Sequence, residues 1–208
     1  MDESVLHAMQ RWPDVPAVYG YIGVNRRGEF LLKGHVVSHA RTREFINRNY
    51  ALDDQGRAYF QNGPQRAYAD LEVTPWIYRL MDDGSLRTHT ETPVTKLDEA
   101  WLAPDGDVVL VTELGPGLLH AQDLDALPGY LRTMDGVSLD DALTALLQGD
   151  SADVTLSLSC GQTRLQLLDS NNIPARFGID TQPSPAAGEH AAESEHRPAW
   201  VPAPIEPS

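Results

Sequence analysis

Residues 53–73 read DDQGRAYFQNGPQRAYADLEV, and two turn signals inside that stretch decide the fold. Asp53-Asp54-Gln55-Gly56 and Asn62-Gly63-Pro64 combine residues that tolerate or pre-set turn dihedrals, so the chain reverses twice in a short span. Between the turns stands RAYFQ, and after them RAYADLEV over 66–73. In an extended strand Ala67, Ala69, Leu71 and Val73 fall on one face and Tyr68, Asp70 and Glu72 on the other. The spacing predicts an antiparallel hairpin with one apolar and one polar-aromatic face.

The same grammar extends in both directions. Upstream, VYGYIGV at 18–24 and EFLLKG at 29–34 flank the turn Asn25-Arg26-Arg27-Gly28. Downstream, Asp82-Asp83-Gly84 joins WIYRL to SLRTH, and Pro104-Asp105-Gly106-Asp107 joins AWL to VVLVT. Turn glycines thus stand at 28, 56, 84 and 106, at spacings of 28, 28 and 22 residues, which suggests repeated strand-turn-strand units. VTLSLSC at 154–160 and TRLQLL at 163–168 predict a last hairpin turning at Gly161-Gln162, with Cys160 in the strand. Four helices are expected. Glu3–Arg11 is stopped by Pro13, and His39–Asn49 is capped by Ser38 and exposes Arg41, Arg43 and Arg48. Asp123–Met134 is interrupted by Pro128-Gly129, and Ser138 opens SLDDALTALLQG. The fold class is therefore α+β, mainly antiparallel, with a few short helices. Its expected layout is an N-terminal helix over 1–12 and a domain over 13–181, divisible into 13–127 and 128–181. From 182 to 208 Pro, Ala, Glu and Ser predominate, which predicts a disordered tail. Trp200, Val201 and Ile205 in that tail form either a short linear motif that docks elsewhere or incidental apolar residues in a solvated segment.

The chain has 208 residues, 41% hydrophobic and 22% charged, enough for one ordinary core. No apolar run approaches the roughly 18 residues of a membrane helix, and the start MDESVLHAMQRW is acidic where a signal peptide is basic. A cytoplasmic location is expected, consistent with a single cysteine that permits no internal disulfide. The net charge of −14 is lopsided: residues 1–100 carry 12 Lys+Arg against 14 Asp+Glu, and residues 101–208 carry 4 against 16. Within 24–66 the sign reverses, through Arg26, Arg27, Lys33, Arg41, Arg43, Arg48, Arg57 and Arg66. Nucleic-acid binding would have to rest on that stretch against the field of the whole chain, which disfavours it.

The chain has no phosphate loop, dinucleotide fingerprint, nucleophile elbow or metal-type His/Cys spacing. His35 and His39 are four apart, but Gly34 and Val36-Val37 place the first at a strand end and the second at a helix start. His89 and His120 are isolated, and Asp123-x-Asp125 reads equally as a divalent-ion pair or as helix N-terminal acids. No cofactor and no metal is expected. The densest polar cluster is Asn47, Arg48, Asn49, Gln61, Asn62, Gln65 and Arg66, in FINRNY and YFQNGPQRAY. Amides and guanidiniums in that number suit an anionic or peptide-like ligand. They equally suit helix capping and tying down the 62–64 turn. The alternative is an enzyme using Asp70 or Glu72 as acid or base, with Arg66 holding an anionic substrate.

The run from Val18 to about Leu127, with FINRNY, DDQGRAYFQNGPQRAYADLE, TPWIYRL and LRTHT, resembles an uncharacterised family of bacterial cytoplasmic proteins of unknown function. It is also similar to a second bacterial family of unknown function. There a G-x-W or G-x-F strand, a short helix, a D-x-G hairpin and a T-P-W/F segment follow in the same order. That likeness implies an α+β fold of small repeated β-rich units with a ligand-binding or signalling role, and it supplies no catalytic residues. The expected function is a non-catalytic binding or accessory module for a protein partner or small anionic ligand. Its oligomeric state is open.

Overall fold

The computed structural model describes residues 1–133, 136–150, 152–169, 171–189, 191–194 and 197–200. The chain divides into two compact units, Met1–Pro75 with the described residues from Gly178 onward, and Trp76–Phe177.

In the first unit α1 (Glu3–Arg11) precedes β1 (Val18–Val24), β2 (Phe30–Leu32) and β3 (His35–Val36). Next come α2 (Ala40–Asn49), β4 (Tyr50–Leu52), β5 (Ala58–Asn62) and β6 (Gln65–Leu71). The sheet order is β3-β2-β1-β6-β5-β4. Neighbours pair antiparallel except at its centre, where β1 runs parallel to β6. His39, not Ser38, takes the N-cap of α2, in an extended conformation and without a side-chain capping bond. One sheet face packs on α2, with the rings of Phe45 and Phe60 edge-to-face at 5.6 Å. The opposite face carries Tyr19, Tyr59 and Tyr68 as a buried cluster. β6 is buried on both faces from Ala67 to Leu71, because the polar-aromatic side that alternation assigns to solvent is covered. Part of the cover is the C-terminal segment: β15 (Ala192–Glu193) pairs in parallel with Val18 and Tyr19 of β1. Val201 and Ile205 lie outside the described residues.

The second unit holds β7 (Trp76–Leu80), β8 (Leu86–Thr88), β9 (Leu97–Leu102), β10 (Val108–Thr112) and β11 (Gly115–Leu119). A 3₁₀ helix (Ala121–Tyr130), β12 (Leu131–Thr133), α3 (Leu139–Leu147), β13 (Val154–Leu158), β14 (Gly161–Leu167) and α4 (Ile173–Phe177) follow. The strand order is β12-β13-β14-β9-β10-β11-β7-β8. The helix expected over 123–134 is instead a 3₁₀ helix that ends at Tyr130 and gives way to a strand, with Pro128 inside it lacking the donor an α-helix needs. Ser138 caps α3 as expected, its hydroxyl accepting the Asp141 N–H at 3.1 Å. The last hairpin turns at Ser159-Cys160, because Leu158 pairs with Gly161, so Cys160 lies in the turn and not in a strand. No helix among the described residues is long and apolar enough to cross a membrane.

The four turn glycines share one device. Gly28, Gly56, Gly84 and Gly106 have φ between +71° and +92°, a region nearly closed to residues with a Cβ. Each donates its N–H to the carbonyl three residues back, at 2.9 Å. The α+β class with mainly antiparallel pairing is the observed architecture.

Candidate functional site

The β5–β6 register places Tyr59 opposite Tyr68 and Gln61 opposite Arg66, which puts all four side chains on one sheet face. Tyr19 joins them from β1, its ring stacked on Tyr68 at 4.8 Å and 12°. Guanidiniums bracket the cluster: Arg57 lies 4.4 Å from the Tyr68 ring centre and Arg66 4.1 Å from that of Tyr59. The Tyr68 hydroxyl donates to Asp53 Oδ2 at 3.1 Å and accepts from Arg57 Nη2 at 2.9 Å and Arg66 Nη1 at 3.4 Å. One donor and two acceptor sites are thereby all used. Burial pushes the Asp53 pKa up, but N–H donors from Arg57 and Gln55 and the Arg57 charge outweigh it and hold the carboxyl below its usual range. Tyr19 donates to Glu189 at 3.0 Å, and burial with that carboxylate drives its phenol pKa upward, so it stays a neutral donor.

Beside these groups opens a cavity of ≈ 480 Å³, lined by Gln61, Arg66, Tyr68, Glu189, Met9 and the Pro13–Ala17 segment. Gln61 is only 1% exposed. Its Nε2 donates to Gly63 O at 3.0 Å, while its Oε1 is buried with no partner among the described residues. A buried acceptor left unpaired costs about 1–3 kcal/mol. The cavity lining therefore brings together Gln61, whose side chain keeps this acceptor, the Glu189 carboxylate and the Arg66 guanidinium over aromatic rings.

The seven residues of the polar cluster do not converge. Arg48 Nε donates to Asp2 Oδ1 at 2.9 Å, and the Asn49 side chain accepts the Asp2 N–H at 2.8 Å and donates to Phe45 O at 2.9 Å. This pair anchors the start of α1 to the end of α2, the capping role expected of such amides. Asn47 is half-buried and Asn62 exposed, while Gln65 donates to Pro16 O at 3.3 Å on the cavity side. Only Gln61 and Arg66 of the seven line the cavity.

Asp70 and Glu72 serve different ends. Asp70 is fully buried, and its Oδ1 accepts from Arg197 Nη1 at 2.8 Å. Burial pushes its pKa up to about 6; Arg197 pulls it down and Asp180 adds to the rise. Glu72 Oε2 accepts the Arg26 N–H at 2.9 Å and so braces the β1–β2 turn. Neither carboxylate lines the cavity, and Arg66 lies on the tyrosines.

Elsewhere, His35 opens the two-residue β3 instead of ending a strand, and His39 is the N-cap of α2. His120 Nδ1 accepts the Gln122 N–H at 3.2 Å. Asp123 holds Arg79 at 2.7 Å and 3.1 Å and accepts the Leu80 N–H at 3.0 Å, a structural bracket, while Asp125 is exposed. Among the described residues no three His, Cys, Asp or Glu side chains gather as a metal site would require. Sequence reasoning missed Tyr19, Tyr59 and Tyr68 as a cluster. Their alternation on predicted strands was the available signal, whereas Glu189 and Arg197 gave none.

Residues 1–184 match the family model DUF2944, described as "Protein of unknown function (DUF2946)". No curated protein matches the chain in sequence. Two crystal structures are similar in shape. A DUF1285 family protein from Silicibacter pomeroyi DSS-3 shares 10% identity at a TM-score of 0.47, covering 77% of this chain and 86% of that one. A DUF1285 family protein from Shewanella baltica OS155 shares 15% identity at 0.41, covering 53% of this chain and 91% of that one. The family match spans every strand except β15 and every residue of the cavity except Glu189: the chain belongs to the DUF2944 family of proteins of unknown function.

Proposed function

We propose that this chain is a non-catalytic binding module whose cavity at Gln61, Arg66 and Glu189 takes a small anionic ligand that also carries an N–H or O–H donor. The observation that carries the reading is Gln61, a cavity-lining residue whose buried Oε1 has no partner among the described residues. Protein interiors rarely leave such a group unpaired, so a ligand donor is its natural complement. Arg66 supplies the countercharge, and the tyrosine faces behind it restrict its rotamers. Of the other polar residues, Gln65 holds Pro16 of the cavity lining, and Arg48 and Asn49 hold the start of the chain through Asp2.

The test pairs ligand recovery with two substitutions. Small molecules released by denaturing the purified full-length protein are identified by mass spectrometry and titrated back calorimetrically. Arg66→Ala is expected to weaken binding by about tenfold or more, which is the loss of one charge-assisted contact. Gln61→Met, nearly isosteric and without the lone acceptor, is expected to abolish binding while changing stability by less than about 1 kcal/mol. Undiminished binding in both variants, or no recovered compound together with no melting shift from millimolar glutamate, glutamine or phosphate, overturns the reading.

A further inference from the structure

On the same sheet face as that cavity, but away from it, the C-terminal segment lies across β1 and β6. Ala192 donates its N–H to Ala17 O at 3.2 Å and Ser194 to Tyr19 O at 2.9 Å, so Ala192–Glu193 adds a short parallel strand to the half of β1 that β2 does not reach. Arg197 then reaches Asp70. Its side chain is 12% exposed and that of Asp70 1%.

The floor of this groove is made of glycine. A Cβ on Gly20 would fall 2.9 Å from Arg197 Cγ, and one on Gly23 2.8 Å from Pro198 Cγ and 3.2 Å from the Trp200 ring. Gly20 needs its glycine for a φ of +72°, but Gly23 has no positive φ; its missing side chain serves the close approach of the covering segment first and that of the Asp70 carbonyl, at 3.3 Å, second. The segment fills the groove imperfectly. Arg197 engages one oxygen of Asp70, leaving the buried Oδ2 without a partner among the described residues, and its other terminal nitrogen reaches Glu193 at a long 3.4 Å. Trp200 Nε1 is likewise buried and unpaired among the described residues. A carboxylate with both oxygens available suits a bidentate guanidinium. Arg197 does not provide one.

We propose that the Gly20–Gly23–Asp70 groove is a recognition site for an extended, arginine-bearing segment of a partner protein, and that the chain's own Arg197-Pro198 tail is a displaceable surrogate for it. The incoming segment adds a strand beside Val18–Tyr19 and sets its guanidinium on both oxygens of Asp70. Asp180 and the chain's net charge of −14 favour a cationic visitor. The groove belongs to the part of the chain that matches the family model, whereas the tail residues that fill it lie beyond residue 184.

The test uses the full-length chain and a labelled synthetic peptide of residues 191–200, AAESEHRPAW. Arg197→Ala, whose own tail has lost its anchor, is expected to bind the peptide at least about tenfold more tightly than the wild type. Adding Asp70→Asn or Gly23→Ala to it should remove the binding, and a peptide with citrulline in place of arginine should not bind. Should Arg197→Ala fail to fold, the wild type decides: excess peptide is expected to raise hydrogen exchange at the Ala192 and Ser194 amides, and citrulline peptide is not. Equal affinity of wild type and Arg197→Ala, binding indifferent to citrulline, or no binding at millimolar peptide overturns the proposal. Concentration-dependent dimers of the wild type that Arg197→Ala abolishes also overturn it, in favour of tails exchanged between two copies.

Discussion

Replacing Asp70 by asparagine should remove the way the first sheet responds to pH. In the folded chain burial pushes the Asp70 pKa up to about 6, against an ordinary value of 3.8, even with Arg197 beside it. Between those values the folded protein holds a proton that the unfolded chain has released, so each step up in pH removes something the fold prefers. The sign is therefore a loss of stability as pH rises through this window, and the contribution is fully present only below the lower value. A difference of about two pKa units corresponds to about 3 kcal/mol, and between about pH 4 and pH 7 some 2 kcal/mol of it is traversed. Asparagine is isosteric, keeps a carbonyl oxygen for Arg197 and cannot titrate. Segment-resolved hydrogen exchange of β1 and β6, expressed as protection relative to the unstructured rate, reads the local opening free energy in each unit separately. Wild-type protection in these strands should decline across that interval and Asp70→Asn should be flat. Parallel profiles, or a wild-type profile that rises with pH, would show that Asp70 does not carry the proton and refute the reasoning.

His89 should produce the opposite slope in the second unit: burial lowers its pKa to about 3, so protection of β7 and β8 is lost as pH falls below about 6.5, and His89→Asn, which keeps an acceptor for the Ile77 N–H, should flatten it. Gly117→Ala should lower stability by about 1–3 kcal/mol in thermal or urea melts, since a Cβ there would lie 2.7 Å from Tyr78 Cδ2 and 2.8 Å from Trp76 Cβ with both neighbours locked in the sheet. An unchanged midpoint would mean that the β7–β11 pairing is looser than described.

The hairpins were legible because turn chemistry is local: Asn25, Asp53, Asp83 and Asp105 and the glycines that follow them dictate reversal whatever surrounds them. Strand partners at long range were not. Nothing local says that β1 lies parallel to β6, or that β14 lies parallel to β9. The site was half legible. Gln61 and Arg66 stood out by type, but so did Asn49 and Arg48, and only the register separates amides that meet a cavity from those that hold Asp2. The polar face of β6 reads as solvated because alternation reports chemistry, not cover. What covers it in part, the described residues of 191–200, belongs to a stretch that is compositionally a disordered tail, and the few groups that seat it, Arg197, Pro198 and Trp200, are too sparse to alter that composition.

The two units use one turn device to opposite ends. The turns at Gly56 and Gly106 share a left-handed glycine and an aspartate that accepts a backbone N–H two residues on. The strands that follow differ: β10 and β11 carry VVLVT and GPGLL, almost wholly apolar, and their side chains complete a core around Val109, Leu110 and Leu118. In β5 and β6 every second position instead holds a ring, an amide, a guanidinium or a carboxylate, from Tyr59 and Gln61 to Arg66, Tyr68 and Asp70. Burying such a face is unfavourable unless its groups find partners. Tyr68 finds three and Asp70 one, while Gln61 Oε1 and Asp70 Oδ2 find none among the described residues. A sheet needing only stability would use apolar residues at these positions, as the second unit does. That the first unit carries polar groups there, and leaves two acceptors open at two separate places, is why both proposed sites fall on this face and none on its counterpart.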